Sequence, residues 1–180
     1  MNNQLGYINP ADVVRNVVEM MALSARTAPK SAGKDFVEIK ILYGEEVIRL
    51  GEEMIKYGIE KSKRNFDRDG ENVKNSPAVL LIGLKDSQSL GLDCGACGFD
   101  LCSDCQPHSG PEFDGPQCTF RILDMGIAIG SAVKMAGMLS IDNRIMYRAG
   151  VVARKIGIIE ASFVMGIPFS VTGKNIYFDR

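Results

Sequence analysis

Residues 77–84 read PAVLLIGL. Side chains on a strand alternate faces with a period of two, so this run of Val, Leu and Ile is apolar on both faces. Such a strand has no side to offer water and belongs in the interior of a covered sheet. The rest of the chain must therefore supply a central sheet and the layers that cover it.

The flanking sequence supplies both. NPAD at 9–12 reads as a helix start, with Asn9 as cap, Pro10 at the first helical position and Asp12 at the positive end. Val13, Val17, Met20, Met21 and Leu23 then recur at helical spacing as far as about Ala28, before Pro29. DFVEIKIL at 35–42 alternates Val37, Ile39 and Ile41 with Glu38 and Lys40, a half-buried strand. Residues 45–63 read as an amphipathic helix with Val47, Ile48, Leu50, Met54 and Ile55 inward, and the charged residues 60–72 read as a solvated end and loop. After the buried strand comes a segment at 90–118, rich in Gly, Pro and Asp and without periodicity. Residues 119–139 form a long helix with Ile122, Met125, Ile129, Val133 and Ala136 on one stripe; its Gly126, Gly130 and Gly137 either ease tight helix packing or admit a backbone or flat ligand. Another helix at 143–158, capped and started by Asp142, Asn143 and Arg144, precedes a strand at 161–169 ended by Pro168 and a polar C-terminal arm. The order predicts a single α+β domain over 1–180, with a central sheet flanked by helices and a cysteine-rich insertion at 90–118.

That insertion holds all five cysteines, spaced C-x2-C-x4-C-x2-C-x12-C as Cys94, Cys97, Cys102, Cys105 and Cys118. An odd count and an expected intracellular setting disfavour a disulfide framework. Neighbours of Gly, Asp and Ser disfavour ordinary core cysteines. A four-thiolate zinc site is the competitor, but its two C-x2-C pairs usually stand about 12–20 residues apart so that they approach from opposite sides. An iron–sulfur cluster is larger, and its neighbouring corners are within reach of one short loop; Gly95 and Gly98 give that loop the freedom to aim backbone N–H groups at the sulfurs. Cys94, Cys97 and Cys102 are common to every ligand set. Cys105 stands only three residues after Cys102 and points along the same side, whereas Cys118 returns from a Pro/Gly-rich loop, so Cys118 is the expected fourth ligand and Cys105 the alternative. His108, the one histidine, is expected to be exposed in its polar loop.

CGACGFDLC followed by Cys118 resembles the compact [4Fe–4S] motif of certain redox subunits. GLDCGACGFDLC, GIAIGSAVKMA, DNRIMYRAG and MGIPFSVTGKNIYFDR together resemble a family of prokaryotic proteins described only as ferredoxin-domain-containing and of unknown function. The resemblance implies a bound cluster and names no reaction. SARTAPKSAGKDFVEIKIL, with the later order of glycine-containing helix, SIDNR turn, helix, strand and basic arm, is similar to flavin nitroreductases. That similarity implies a nitroreductase-like fold, a homodimer with FMN between its subunits, and phosphate contacts from Arg26, Ser31 and Lys34 in the first turn and Lys174 in the arm. The family's early Arg-x-Ser segment and the Asn, Gln or Trp residues after its Pro-Ser turn are missing from this sequence. By itself the turn of Arg26, Lys30, Ser31, Gly33 and Lys34 is either a phosphate-holding turn or a solvated helix C-terminus, where cations are favoured anyway.

Charge and hydropathy exclude other classes. Lys and Arg number 21 against 22 Asp and Glu, for a net charge of −1, which does not suit a nucleic-acid clamp or a polybasic membrane surface. MNNQLGYINPAD lacks the basic and apolar regions of a secretory signal, and GIAIGSAVKMAGML, interrupted by Lys134, is too short to span a bilayer. No hydrolytic triad or carboxylate pair stands out. The expectation is a cytoplasmic redox protein with one [4Fe–4S] cluster, an unidentified redox partner and, in a flavin-dependent version, FMN; a structural or sensing zinc protein is the alternative.

Overall fold

The computed structural model describes residues 10–178, with side chains from residue 12 onward; the expected cap Asn9 lies outside them. Helix α1 (Pro10–Thr27) leads through a tight turn at Ser31–Gly33 into strand β1 (Val37–Tyr43). Helices α2 (Glu45–Glu60) and α3 (Phe66–Lys74) precede strand β2 (Ala78–Leu84). The cysteine segment follows, carrying a small hairpin of β3 (His108–Ser109) and β4 (Asp114–Gly115). Helix α4 (Thr119–Met138), strand β5 (Asp142–Asn143), helix α5 (Tyr147–Lys155) and strand β6 (Phe163–Ser170) complete the order.

The main sheet is antiparallel in the order β1-β2-β6-β5, with Ile39 opposite Ile82 and Ile82 opposite Met165. β2 is buried from end to end, as its two apolar faces require. Ala78, Leu80, Ile82 and Leu84 point into a core shared with α1 and α4. Val79 and Leu81 point into a second core shared with α2, α3 and α5. One strand thus forms the common wall of two hydrophobic layers. Glycines permit the closest packing: a Cβ on Gly150 of α5 would lie 1.9 Å from the Val164 carbonyl of β6, and one on Gly51 of α2 would lie 2.6 Å from the Gly70 carbonyl of α3.

Four expectations are corrected. Residues 66–74 are a helix, not solvated loop: Phe66 and Val73 are buried, and Gly70 lets the polar turn FDRDGENVK lie against α2. Pro168 stands within β6 and does not end it. Its carbonyl accepts from Arg144 N on the β5 side, so the N–H that proline lacks falls on that side too, where β5 is only two residues long, and the ladder with β2 is untouched. Asp142 and Asn143 pair with β6, and α5 begins only at Tyr147. Ile48 of α2, assigned inward, is exposed; on α1, Val13, Met20 and Leu23 of the helically spaced set are exposed too, while Val14, Val18 and Ala25 enter the core with Val17 and Met21.

The α4 glycines resolve into surface. Among the described residues Gly126, Gly130 and Gly137 would meet nothing within 4 Å of an added Cβ, so they ease no packing there. With Leu123, Ile127 and Met138 they form an outward stripe, opposite the Met125, Ile129 and Ala136 face that enters the core.

Candidate metal centre

The chain leaves β2 at Leu84 and returns at the N-terminus of α4, and the five cysteines lie on that excursion. Left-handed backbone at Gly91 (φ 82°), Asp93 (φ 47°), Gly95 (φ 69°) and Gly98 (φ 90°) folds the segment into consecutive tight turns. Asp93 staples it: its carboxylate accepts from Cys102 N at 2.7 Å, and its own N–H points at the Cys102 sulfur at 3.4 Å. The Thr119 hydroxyl donates to the Ala96 carbonyl at 2.9 Å, tying the first cysteine pair to the start of α4.

Cys94, Cys97, Cys102 and Cys118 line one narrow cavity of about 10 Å³, whose other walls include Leu90, Leu92, Phe99 and Phe120. The four thiols surround a space and do not meet at a point; among the described residues no three His, Cys, Asp or Glu side chains converge as ligands of one metal ion. A cubane of four irons takes one thiolate at each of four separate corners, and a set of four soft sulfur donors suits that object by its chemistry. Cys118 is the N-cap of the twenty-residue α4, whose N-terminal dipole favours the negative charge of a thiolate-bound group.

Cys105 sits apart. It is 4% exposed, within a loop whose adjoining Asp104 and Gln106 are exposed. Together with Cys102 and Cys118 it lines a neighbouring polar cleft with Ser87, Gln88 and Gln117. Burial, then a hydrogen bond with Cys97 and the charges of Cys97, Cys118 and Cys102, pushes its thiol up to about 11. His108 is exposed on the β3 hairpin.

Residues expected around a flavin phosphate have partners within the chain. Arg26 pairs with Asp35 at 2.7 Å and donates to the Val37 carbonyl at 2.7 Å. Lys30 donates to the Ala25 carbonyl at 3.1 Å and to that of Arg26, closing the C-terminus of α1. Burial raises Asp35, but Arg26, the Val37 N–H and Lys30 outweigh it and hold the carboxyl below its ordinary value. Ser31 gives both its N–H (2.8 Å) and its hydroxyl (2.7 Å) to Asp124 of α4. Lys34 is exposed. The arm that carries Lys174 is anchored elsewhere, through Asn175 to Asp142 at 2.9 Å, Tyr177 to Ser76 at 2.8 Å and Arg144 to the Tyr177 carbonyl at 3.2 Å. Arg26, Ser31 and Lys34 therefore share one turn, whereas Lys174 belongs to an arm held by β5 and the residues after α3. With Arg26 and Ser31 so engaged, this set is not an open phosphate cradle in the single chain.

Two buried polar clusters escaped the sequence reading. Arg121 is 1% exposed; its guanidinium donates to the carbonyls of Gln88 and Ser31 at 2.9 Å each and to Asp124 at 3.0 Å, and lies 4.7 Å above the Phe36 ring. It joins the first turn, the entrance of the cysteine segment and α4. The i, i+3 spacing of Arg121 and Asp124, beside inward-facing Met125 and Ala128, was the available signal. In the other core Asp69, 1% exposed, accepts from Arg68 and Arg148 at 2.7 Å each, with Arg144 at 3.7 Å.

Residues 114–180 match the family described as uncharacterized protein containing a ferredoxin domain. An uncharacterized protein of Archaeoglobus fulgidus is 50% identical over 163 residues, covering 89% of this chain and 88% of its own length. The chain belongs to this family of uncharacterized ferredoxin-domain proteins. The matched segment contains Cys118 and begins after the other four cysteines. Its fold is nitroreductase-like. A nitroreductase with bound FMN from Desulfitobacterium hafniense superposes with a TM-score of 0.59 at 12% identity, over 88% of this chain and 78% of that one. The FMN-dependent nitroreductase NfnB of Mycobacterium smegmatis, in complex with NADPH, gives 0.59 at 13% identity, over 92% and 79%. A nitroreductase-like protein of Bacillus cereus gives 0.58 at 10%, over 96% and 90%. Among the described residues no helix is long and apolar enough to cross a membrane.

Proposed function

We propose that this family member is a cytoplasmic redox protein, one domain whose inserted segment at 90–118 holds a single [4Fe–4S] cluster on Cys94, Cys97, Cys102 and Cys118. The observation that carries the proposal is the placement of those four thiols around one largely apolar cavity at the positive end of α4. When bound, the cluster takes up and gives back one electron at a time. The chain's own residues do the rest. Leu90, Leu92, Phe99 and Phe120 supply the apolar part of the wall beside the sulfurs. Asp93 and Thr119 hold the loop in its turns, and the N-terminus of α4 offsets negative charge at Cys118. The redox partner is a separate molecule, neither nucleic acid nor membrane. The test is anaerobic reconstitution with ferrous iron and sulfide. The expected product binds about four irons per chain and shows a broad shoulder near roughly 400 nm that dithionite bleaches. A colourless protein with stoichiometric zinc overturns the proposal.

A second reading, a flavin-dependent reductase with an accessory cluster, draws on the nitroreductase-like fold and on the outward stripe of α4. Leu123, Ile127 and Met138 are exposed on α4 among open glycines, and α1, which packs against α4, exposes Val13, Met20 and Leu23. An apolar face of this kind suits a second copy of the chain, and a homodimer would bring a flavin site between subunits. Incubation with excess FMN followed by desalting tests it: retained yellow absorption supports the reading, and a chain that stays colourless and sediments as a monomer at micromolar concentration ends it.

A further inference from the structure

Ser87, Gln88 and Ser89 form the stem on which the cysteine segment leaves β2, and each makes a hydrogen bond at or beside a candidate ligand. The Ser87 hydroxyl donates to the side-chain carbonyl of Gln117 at 2.9 Å, one residue before Cys118. The Gln88 carbonyl accepts from Arg121 Nε at 2.9 Å, in the first turn after Cys118. The Ser89 hydroxyl donates to the carbonyl of Cys102 itself at 3.4 Å. Three consecutive residues thus touch Cys102 and the neighbours of Cys118 on both flanks. We infer that Arg121 is a positioning residue for the cluster: it fastens this stem to α4 and so sets where Cys102 stands relative to Cys118 before iron arrives. The inference rests on the cluster reading above and deepens it, by naming the side chain outside the ligand set that governs how the site holds its metal.

The position calls for arginine. Nη1 also donates to the Ser31 carbonyl at 2.9 Å and to Asp124 at 3.0 Å, and Asp124 in turn accepts from the N–H and hydroxyl of Ser31. One planar fork, its donors fixed relative to one another, therefore ties the stem to α4 and to the turn after α1. The Phe36 ring, 4.7 Å from the guanidinium carbon, packs against its face. A lysine keeps the positive charge for Asp124, but as a single point on a flexible stem it cannot serve two carbonyls and a carboxylate in one geometry. Residues that orient metal ligands are typically worth roughly 10–100-fold in metal affinity, because a site ordered in advance has less to lose when the metal binds.

The test uses the full-length chain as wild type, Arg121→Lys, Ser87→Ala and Met54→Ala, reconstituted anaerobically with ferrous iron and sulfide. Met54 is buried in the other core, so its truncation lowers stability without touching the stem. Three readouts are taken: the rate at which a ferrous chelator strips iron, the electron paramagnetic resonance spectrum after dithionite, and deuterium uptake at residues 87–102 of the iron-free chain. Arg121→Lys is expected to lose iron roughly tenfold or more faster than wild type, the fold-change of a lost orienting partner, with an altered spectrum and faster uptake. Ser87→Ala, which leaves the buried arginine in place, is expected to move all three readouts in the same direction and decides the question should Arg121→Lys not fold. Met54→Ala is expected to match wild type in all three although it melts lower. The inference fails if the Arg121 and Ser87 variants release iron at the wild-type rate with the wild-type spectrum. It fails equally if Met54→Ala releases iron as fast as they do, since metal loss then follows overall stability. A wild-type chain that takes up no iron overturns the cluster reading itself, a result distinct from both.

Discussion

Arg121→Met is the most informative single change for the scaffold. The arginine is buried and makes three hydrogen bonds, to the carbonyls of Gln88 and Ser31 and to Asp124, which is itself 3% exposed. Methionine fills much of the same volume without a charge. Asp124 would keep the Ser31 N–H and hydroxyl but lose its counter-ion in a dry setting, and two carbonyls would lose a donor. Removing one partner of a buried pair typically costs about 3–5 kcal/mol. For a chain of this size 1 kcal/mol moves the melting temperature by about 2–4 °C, so the expected fall is about 6–20 °C. Urea unfolding with an unchanged m-value is the assay. Asp124→Leu in the Arg121→Met background removes the stranded carboxylate, and the double variant should recover part of the loss. A cost below about 1 kcal/mol for Arg121→Met, or a double variant less stable than either single one, would refute the claim that this pair is a buried electrostatic clamp.

Three further outcomes are expected. Asp35 titrates below its ordinary value of 3.8 in the folded chain, so the stability it contributes is present above that pH and is lost as the pH falls through the lower folded value; Asp35→Asn should lag behind wild type at pH 6, and the gap should start to close at about pH 3.8 and vanish only below the folded value. Ile127→Asp, on the exposed face of α4, should leave monomer stability within about 0.5 kcal/mol but shift sedimentation from dimer to monomer if the second copy sits there. Lys174→Ala should weaken FMN binding roughly tenfold or more if the arm contacts the phosphate, since charge-assisted hydrogen bonds are worth about 1.5–3 kcal/mol, as titration of flavin fluorescence would show.

Legibility in the sequence followed the strength of the local pattern. PAVLLIGL announced a two-sided strand because seven apolar residues admit no other arrangement, and the structure places β2 as the wall of two cores. The cysteine spacing suggested grouping Cys94, Cys97, Cys102 and Cys118, and those four do line one cavity; the left-handed turns at Asp93, Gly95 and Gly98 that bring them there are not encoded by any periodicity. α3 was hidden because Phe66 and Val73 are its only large apolar residues, and their burial comes from α2 and not from local propensity. On α1, Val13, Met20 and Leu23 fitted helical spacing as well as the true core positions did; only tertiary packing decides which of two apolar stripes faces the sheet. Asp69 read as part of the solvated stretch 60–72, and Arg121 did not stand out, because burial of a charge is set by partners distant in sequence.

The position of β2 also governs how the chain would open. Amides in a strand hydrogen-bonded on both sides and covered on both faces exchange with solvent only when the whole domain unfolds. Helices at the rim, such as α3, can fray first. Because the cysteine segment departs from the end of β2 at Leu84 and rejoins at α4, its point of departure stays ordered through such partial openings. A chain awaiting the proposed cluster could then breathe at the edges without losing the frame that carries the thiols, and deuterium uptake should be slowest in residues 78–84 with or without added iron.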